Sequence, residues 1–564
     1  MKKWNTLSLD DKLIYKLADD LNVSIEISKL LIKRGITDFD SAKDFFRPTL
    51  DNTHDPFLMK GMNHAVNRLI IAKKLNETVL IYGDYDVDGT SSVSMMYLFL
   101  ISQKVSCQYY LPDRYEEGYG LSQNGIDFAF KENISLIITL DCGIREIDQV
   151  NYANKKGIDV IICDHHNPAP TLPKAIAILN PKQQNCNYPF KDLCGCGVGF
   201  KFISAYYIQN GLNIEETYSY LDLLALATVA DIVPMIDENR IYTYYGLKKI
   251  NQNPSIGLES LIKKLSKTNN ITSSDISFGI APLINAAGRI SHAKNAVKLL
   301  IETDTGKVEK YSDVLYANNQ ERKIIEKNIL NEALKKTNKK SSTNVVSSKN
   351  WHKGVIGIVA SKLIDLHYKP TIVFSEKDGF LTGSARSIKG FNIYDAILSC
   401  EDLCEKFGGH KYAAGLMIKK ENYELFKKRF ESEVKAKLTA ETMQQKIEID
   451  VILDLNKLDN KFYRILKQFS PHGPGNSNPV FASYGLKLNA PPKYLGQDKS
   501  HLKLLIKLDK SNIDAIGFNL SHLLASYNEE YINLCYTLNE NIWNNKKSLQ
   551  LNIKDLSLES VSTN

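Results

Sequence analysis

The stretch TVLIYGDYDVDG, residues 78–89, runs from five residues that are mostly apolar and β-forming into three aspartates at alternate positions. TVLIY shows no polar alternation, so it predicts a strand covered on both faces, the pattern of a parallel sheet. Two later stretches repeat the arrangement: SLIITLDCG at 135–143 and DVIICDHHN at 159–167 both pass from an apolar run directly into acid or imidazole. Between these runs lie amphipathic stretches, SSVSMMYLFLISQ, NGIDFAFKEN and REIDQVNYANKKG, which can supply the crossover helices that parallel strands need. The expected fold class is α/β. Ligands of such sheets bind beyond the carboxyl ends of the strands, which singles out Asp84, Asp86, Asp88, Asp141, Asp164, His165 and His166.

Working outward, the 564 residues are too many for one hydrophobic core and suggest several domains. Residues 1–50 read as an N-terminal helical segment and 51–260 as the parallel-sheet domain. Residues 261–341 read as a helical connector whose charged stretch from 304 forms a long helix bridging two domains. A smaller α/β domain is expected over 342–440. From 441 to 564, apolar alternations such as IEIDVILDL, HLKLLIKL and YINLCYTLN predict a small β-barrel. Lys493, Lys499, Lys503, Lys507 and Lys510, interleaved with Phe481, Tyr484, Tyr494 and Phe518, suit a surface that tracks phosphates and stacks bases.

A 43% apolar and 24% charged composition is that of a globular protein, and a net charge of +7 permits a polyanionic partner without requiring one. No run of about 18 uncharged apolar residues occurs, and the amino-terminal MKKWNTLSLDDK has no apolar core, so neither membrane insertion nor export is expected. The nine cysteines lack the dense spacing of disulfide scaffolds, which fits reduced thiols in the cytoplasm. Cys186, Cys194 and Cys196 lack zinc-site spacing and read as ordinary thiols.

Three carboxylates at one strand end repel one another unless cations are bound. The spacing of 84–88 resembles the start of a calcium-binding EF-hand loop, but Met95 stands where that loop needs Glu. Asp141 and the 164–166 triplet add ligands at two further strand ends, and Asp231, in LALATVADIVP, ends an apolar helical run. Together these residues have the makeup of a two-metal site, which hydrolyses phosphoesters without a side-chain nucleophile. Mixed carboxylate and imidazole ligation points to manganese, with magnesium second.

The ordered set DYDVDG, LDCG, DHH and ADIVP resembles the DHH phosphoesterase family. GSARS at 383–387, FGGHKYAAGL at 407–416 and PHGPGNSNPVF at 471–481 resemble its bacterial single-strand-specific exonuclease branch, from about residue 45 to 555. The resemblance implies a DHH domain, a DHHA1 domain and an OB-type barrel. It implies a 5′-to-3′ exonuclease that degrades single-stranded DNA to mononucleotides in repair and recombination, with a single-strand-binding protein and a DNA helicase as partners. It implies that Asp84, Asp86, Asp88, Asp141, His165 and Asp231 hold two ions, with Asp141 between them. His166 would face the scissile phosphate, oriented by Asp164. His410, beside Gly408 and Gly409, would act at a phosphate, and Arg114, Arg289, Ser384 and Arg386 would bind phosphate. Many family members carry His where Tyr82 stands. Two rival readings are a family member acting on short oligonucleotides and a non-catalytic DNA-binding scaffold; the latter would have lost the acids and His165 retained here.

Overall fold

The computed structural model describes residues 2–265, 270–524, 531–543 and 546–558. They form two compact units, residues 50–443 and the two termini together, 1–49 with 444–564.

The larger unit is built on a fully parallel five-stranded sheet of β1 (Val79–Gly83), β2 (Cys107–Tyr110), β3 (Leu136–Leu140), β4 (Asp159–Cys163) and β5 (Ala177–Leu179). Their spatial order is β2-β1-β3-β4-β5. The chain leaves β1 to one side to make β2, then returns past β1 to make β3. The gap between β1 and β3 is therefore the topological switch point, where a crevice opens beyond the strand ends. Every residue of β1 and β3 is buried, as their unbroken apolar runs require. One face is covered by α1 (Val87–Ser102) and α2 (Gly195–Gln209), with α3 (Leu221–Ala230) packed against both, all buried over most of their length. Leu258, Leu261, Ile284 and Val297 join the same core, so a boundary at residue 260 falls inside the helix Ile256–Lys264.

Two more helices follow, α4 (Ala281–Ile290) and the 32-residue α5 (Thr305–Lys336), which at 1.5 Å per residue is about 48 Å long. The first half of α5 buries Val308 and Leu315 in the parallel-sheet core, and its second half buries Ile329 and Ala333 beside α6 (Ile356–His367) and the second sheet. That sheet orders its strands Cys404–His410, Ala413–Lys419, Phe380–Arg386, Thr371–Lys377 and Asn344–Ser348, and only the last two are parallel.

The smaller unit is a seven-stranded, mostly antiparallel sheet that curls so that Leu488 bridges to Ile506. The N-terminal segment is not a separate body. Leu17, Ile27, Leu30 and Leu31 share one core with Phe481, Leu504 and Tyr536, and Lys3–Thr6 pairs in parallel with Lys446–Ile449. Phe481 is fully buried in that core and stacks on Tyr536, which removes it from the surface aromatics. Tyr484, Tyr494 and Phe518 are exposed. Lys493, Lys499, Lys507 and Lys510 are exposed as well, whereas Lys503 is half-buried and paired with Asp514 at 3.0 Å. Among the described residues no helix is long and apolar enough to cross a membrane.

Candidate metal centre and phosphate site

Strand register assembles the acids. Gly83 pairs with Leu140 and Leu140 with Cys163, so Asp84, Asp141 and Asp164 leave adjacent strands at one level. Asp141 takes a left-handed backbone with φ +61°, a conformation Asp tolerates better than most residues. Its N–H donates to the Cys163 carbonyl at 2.9 Å. Asp86 caps α1, accepting from the Gly89 N–H at 3.1 Å, while Asp88 lies within the first turn. Asp231 caps the carboxyl end of α3.

These groups converge. The His165 Nε2 lies 3.2 Å from an Asp141 oxygen, 3.6 Å from Asp231 and 3.9 Å from Asp88. Three sets, Asp84/Asp86/Asp141, Asp88/His165/Asp231 and Asp141/His165/His166, each bring their ligand atoms within 4.8 Å of one another. Asp141 and His165 each belong to two sets. Oδ1 of Asp84, Oδ1 of Asp141 and Nε2 of His165 are buried with no hydrogen-bond partner. Buried acceptors without donors are costly, so three around one point mark a place built for a cation.

The electrostatics agree. Burial, reinforced by neighbouring carboxylates, pushes Asp84 and Asp141 well above the usual range, Asp88 to about 6 and Asp231 to about 8. Five clustered acids cannot all ionise without divalent charge beside them. Burial, with His166 next to it, lowers His165 to about 3, keeping its ring neutral as a ligand must be. Oxygen-rich donors with one or two imidazoles and no thiolate suit manganese or magnesium.

The support around these side chains is specific. Asp88 accepts from the Gly195 and Cys196 N–H groups, at 2.7 and 2.8 Å, at the start of α2. A Cβ on Gly195 would stand 2.6 Å from the Asp141 Cβ, so glycine is required there. Asp164 accepts from the His165, His166 and Ile144 N–H groups at 2.7, 3.0 and 3.0 Å, and lies 2.7 Å from Nδ1 of His166. Burial alone would raise Asp164, but the His166 contact and these donors hold it at about 2. Conversely, burial opposes protonation of His166, yet Asp164 raises it to about 9. The His166 side chain remains two-fifths exposed. Tyr119, which the sequence did not single out, donates to the Asp141 carbonyl at 3.1 Å and lies 3.2 Å from the His166 ring. Tyr82 faces away from this cluster: its hydroxyl donates to the Gly120 carbonyl within the core on the other side of the sheet.

A cationic pocket adjoins the acids. Arg114 lies 4.6 Å above the ring of Tyr85, between Asp84 and Asp86 in sequence. Arg289, at the end of α4, donates to the Gly354 carbonyl at 3.1 Å, and Tyr115 donates to the Arg289 carbonyl at 2.5 Å. Burial, with the charges of Arg114 and Arg322, lowers Arg289 to about 10. Burial and Arg114 likewise lower Arg386, whose guanidinium donates to Ser384 at 3.1 Å. A Cβ on Gly357 would lie 2.9 Å from the Ser384 hydroxyl, so glycine lets α6 start against this pair. Arg322 is already paired with Glu326, whereas Arg114, Arg289 and Arg386 share a half-buried space with no carboxylate paired to them among the described residues, which calls for an anion. Gly408, Gly409 and His410 lie on the exposed edge strand of the second sheet rather than in a loop. Gly409, at φ +148°, lets the neighbouring strand approach, while space beside Gly408 is open. Among the described residues no hydrogen bond or ion pair joins His410 to the acids.

Three family models match: the DHH family N-terminal domain over residues 78–228, the DHHA1 domain over 326–436 and the RecJ OB domain over 449–555. The single-stranded-DNA-specific exonuclease RecJ of Bacillus subtilis is 36% identical, with 99% of this chain and 71% of the relative covered. That of Haemophilus influenzae is 34% identical, with 89% and 92% covered. The chain belongs to the RecJ family. The RecJ of Thermus thermophilus, solved with Mn2+, superposes with a TM-score of 0.86 at 25% identity, covering 99% of this chain and 80% of that one. A second RecJ bound to manganese gives 0.60 at 29% identity, covering 68% and 96%. As a RecJ-family member the chain carries the expected α/β domains and OB-type barrel.

Proposed function

We propose that this chain is a metal-dependent exonuclease that hydrolyses the phosphodiester bonds of single-stranded DNA, working from the 5′ end and releasing 5′-mononucleotides. The observation that carries the reading is the set of partnerless buried acceptors on Asp84, Asp141 and His165, in a chain whose near full-length relatives are named as exonucleases of this kind. We assign Asp84, Asp86, Asp88, Asp141, His165 and Asp231 to two divalent ions, with Asp141 shared between them as the family resemblance implies; its carboxylate lies within reach of both Asp84/Asp86 and His165. Such ions, when bound, lower the pKa of a water and offset charge on the displaced oxygens.

The chain's own residues do the rest. Asp164 fixes the His166 ring, which points an N–H toward the phosphate. Arg114, Arg289 and Arg386, with Ser384, hold a terminal 5′-phosphate, and this sets polarity because an internal phosphate has a chain on both sides. Gly408, Gly409 and His410 offer backbone and imidazole donors to the strand on the open edge of the second sheet. Exposed Tyr484, Tyr494 and Phe518 with the nearby lysines give the barrel a surface for single-stranded DNA. A single-strand-binding protein and a DNA helicase are the partners we expect, in the cytoplasm, where nine free cysteines stay reduced.

The test uses purified protein with Mn2+ and DNA labelled at either end, single- or double-stranded. Release of labelled mononucleotide from the 5′ end of single strands, abolished by chelator, is expected. Activity confined to oligonucleotides of a few residues would favour a small-substrate phosphodiesterase, and binding without hydrolysis would favour a scaffold.

A further inference from the structure

The loop 111–122 follows β2 and carries Arg114 and Tyr115. It is braced from within: Glu117 accepts from the Asp113 N–H at 2.7 Å, the Ser122 hydroxyl at 2.6 Å and the Tyr110 hydroxyl at 3.0 Å. Asp113 in turn accepts from the Tyr115 N–H at 2.7 Å. These bonds hold the loop without the Tyr115 hydroxyl, which bonds outside it. That hydroxyl donates at 2.5 Å to the carbonyl of Arg289, in the last turn of α4, where a helix leaves its carbonyls without partners of its own.

The same hydroxyl lies against the domain of the second sheet. A Cβ on Gly354 would stand 2.1 Å from it and 2.9 Å from the Arg289 carbonyl oxygen. The backbone at Gly354 is not left-handed, so what the glycine supplies there is room. Its carbonyl accepts from Arg289 Nη1 at 3.1 Å, so Tyr115 grips the main chain of Arg289 while Gly354 grips the guanidinium. The His352 ring meets Tyr115 edge-on, centroids 5.8 Å apart, and its Nδ1 accepts from the Gly354 N–H at 3.2 Å. Three residues further on, a Cβ on Gly357 would lie 2.9 Å from the Ser384 hydroxyl and 3.1 Å from Arg386 Nη2. Residues 354–357 are thus the point at which Arg289, Arg386 and Ser384 meet. Tyr115, next to Arg114 in sequence, reaches that point from the parallel-sheet domain.

We infer that Tyr115 is a positioning residue for the terminal phosphate: its hydroxyl holds Arg289 against Gly354, and so sets how strongly a 5′-phosphorylated strand is preferred, a role that rests on the exonuclease reading and its arginine pocket. A guanidinium recognises phosphate by the direction of its N–H fork, and a fork fixed in advance loses less freedom on binding. Without the hydroxyl, Arg289 keeps its charge but not its fixed placement. The Tyr115 ring packs against His352 with or without its oxygen, so removing the oxygen alone separates positioning from packing.

The experiment measures kcat and KM of the full chain with Mn2+ on one single-stranded oligonucleotide bearing either a 5′-phosphate or a 5′-hydroxyl, with thermal unfolding alongside. For Tyr115→Phe the preference for the 5′-phosphate, as a ratio of kcat/KM values, should fall about tenfold, the equivalent of one hydrogen bond. The loss should lie mainly in KM of the phosphorylated strand. Gly354→Ala presses on the same hydroxyl from the other side and should shrink the preference as well. Because removing the oxygen makes room for the added methyl, the double variant should lose less than the product of the two single losses. An unchanged preference in a folded Tyr115→Phe protein would overturn the inference. Equal slowing of both substrates would also overturn it, marking a structural role, as would a double variant that loses the full product. A wild-type protein that degrades both substrates equally well would instead overturn the phosphate-pocket reading, and one that degrades no single strand the exonuclease reading itself.

Discussion

Gly195 is where two ligands of the proposed centre depend on one residue, and Gly195→Ala tests that dependence. Its N–H holds Asp88 Oδ2 at 2.7 Å, and its missing Cβ leaves room for Asp141. An added methyl would meet the Asp141 Cβ at 2.6 Å and Cα at 2.8 Å, roughly 0.8 Å inside the 3.4 Å at which ordinary contact begins. Neither neighbour is the free end of a flexible side chain. Asp141 is held by its own N–H bond to Cys163, and α2 is buried on nearly all sides. The strain must therefore move Asp141, the start of α2, or both. Overpacking of this kind costs about 1–3 kcal/mol. A ligand shift approaching 1 Å should lower turnover about a hundredfold, and lost support of ligand geometry should raise the metal requirement about 10- to 100-fold.

Thermal unfolding of the metal-free protein reads the first effect, and turnover of single-stranded DNA across a Mn2+ titration reads the other two. Partial rescue of turnover at high Mn2+ is expected, because the ligands are displaced rather than deleted. A Gly195→Ala protein with wild-type turnover at limiting Mn2+ would refute the reasoning. Asp88 and Asp141 would then not both be ligands held by this helix start.

Asp141→Asn keeps a side chain that tolerates the left-handed backbone while removing the shared charge, so turnover should be lost with DNA binding retained; near-normal turnover at saturating Mn2+ would remove Asp141 from the centre. Arg386→Ala should shrink the rate advantage of 5′-phosphorylated over 5′-hydroxyl substrates, and equal slowing of both would reduce the residue to a general backbone contact. Glu238→Gln should leave the buried Lys201 ammonium, now 2.7 Å from Glu238, without its counter-charge and cost about 3–5 kcal/mol in unfolding free energy. Adding Lys201→Met should recover part of that cost, and a single-substitution loss below about 1 kcal/mol would contradict the pairing.

The parallel sheet and its acids were legible because a doubly covered strand must be apolar throughout, so a sudden Asp or His marks the strand end and the crevice together. Asp84, Asp141 and the 164–166 triplet follow from that rule alone. What supports them does not. The donors to Asp88 come from Gly195 and Cys196, more than a hundred residues further on, and only the glycine spacing of GCGVG at 195–199 hinted at a helix start that something approaches closely. Tyr119 carried no signal, because a tyrosine hydroxyl reaches its partner through tertiary contact that no local pattern encodes.

The barrel shows the same limit from the other side. Alternating apolar residues announce strands, but alternation alone does not say whether an aromatic faces the core or water, and Phe481 went inward while Phe518 stayed out. The N-terminal helices are amphipathic, which demands an apolar partner without naming it. The partner is the barrel, whose own strands leave one side of the core open to Leu17, Ile27 and Leu31. Arg34 then fixes the PHGPGNSNP segment, donating to Asn476 Oδ1 and the Ser477 carbonyl at 2.7 Å each while lying 5.0 Å from the Phe469 ring. The two ends of the chain thus make one core. A truncation meant to remove the barrel would strip those N-terminal helices of their apolar partner, so the barrel's part in DNA binding is better tested by substituting exposed Lys493, Lys499, Lys507 and Lys510, whose loss should flatten the salt dependence without touching that core.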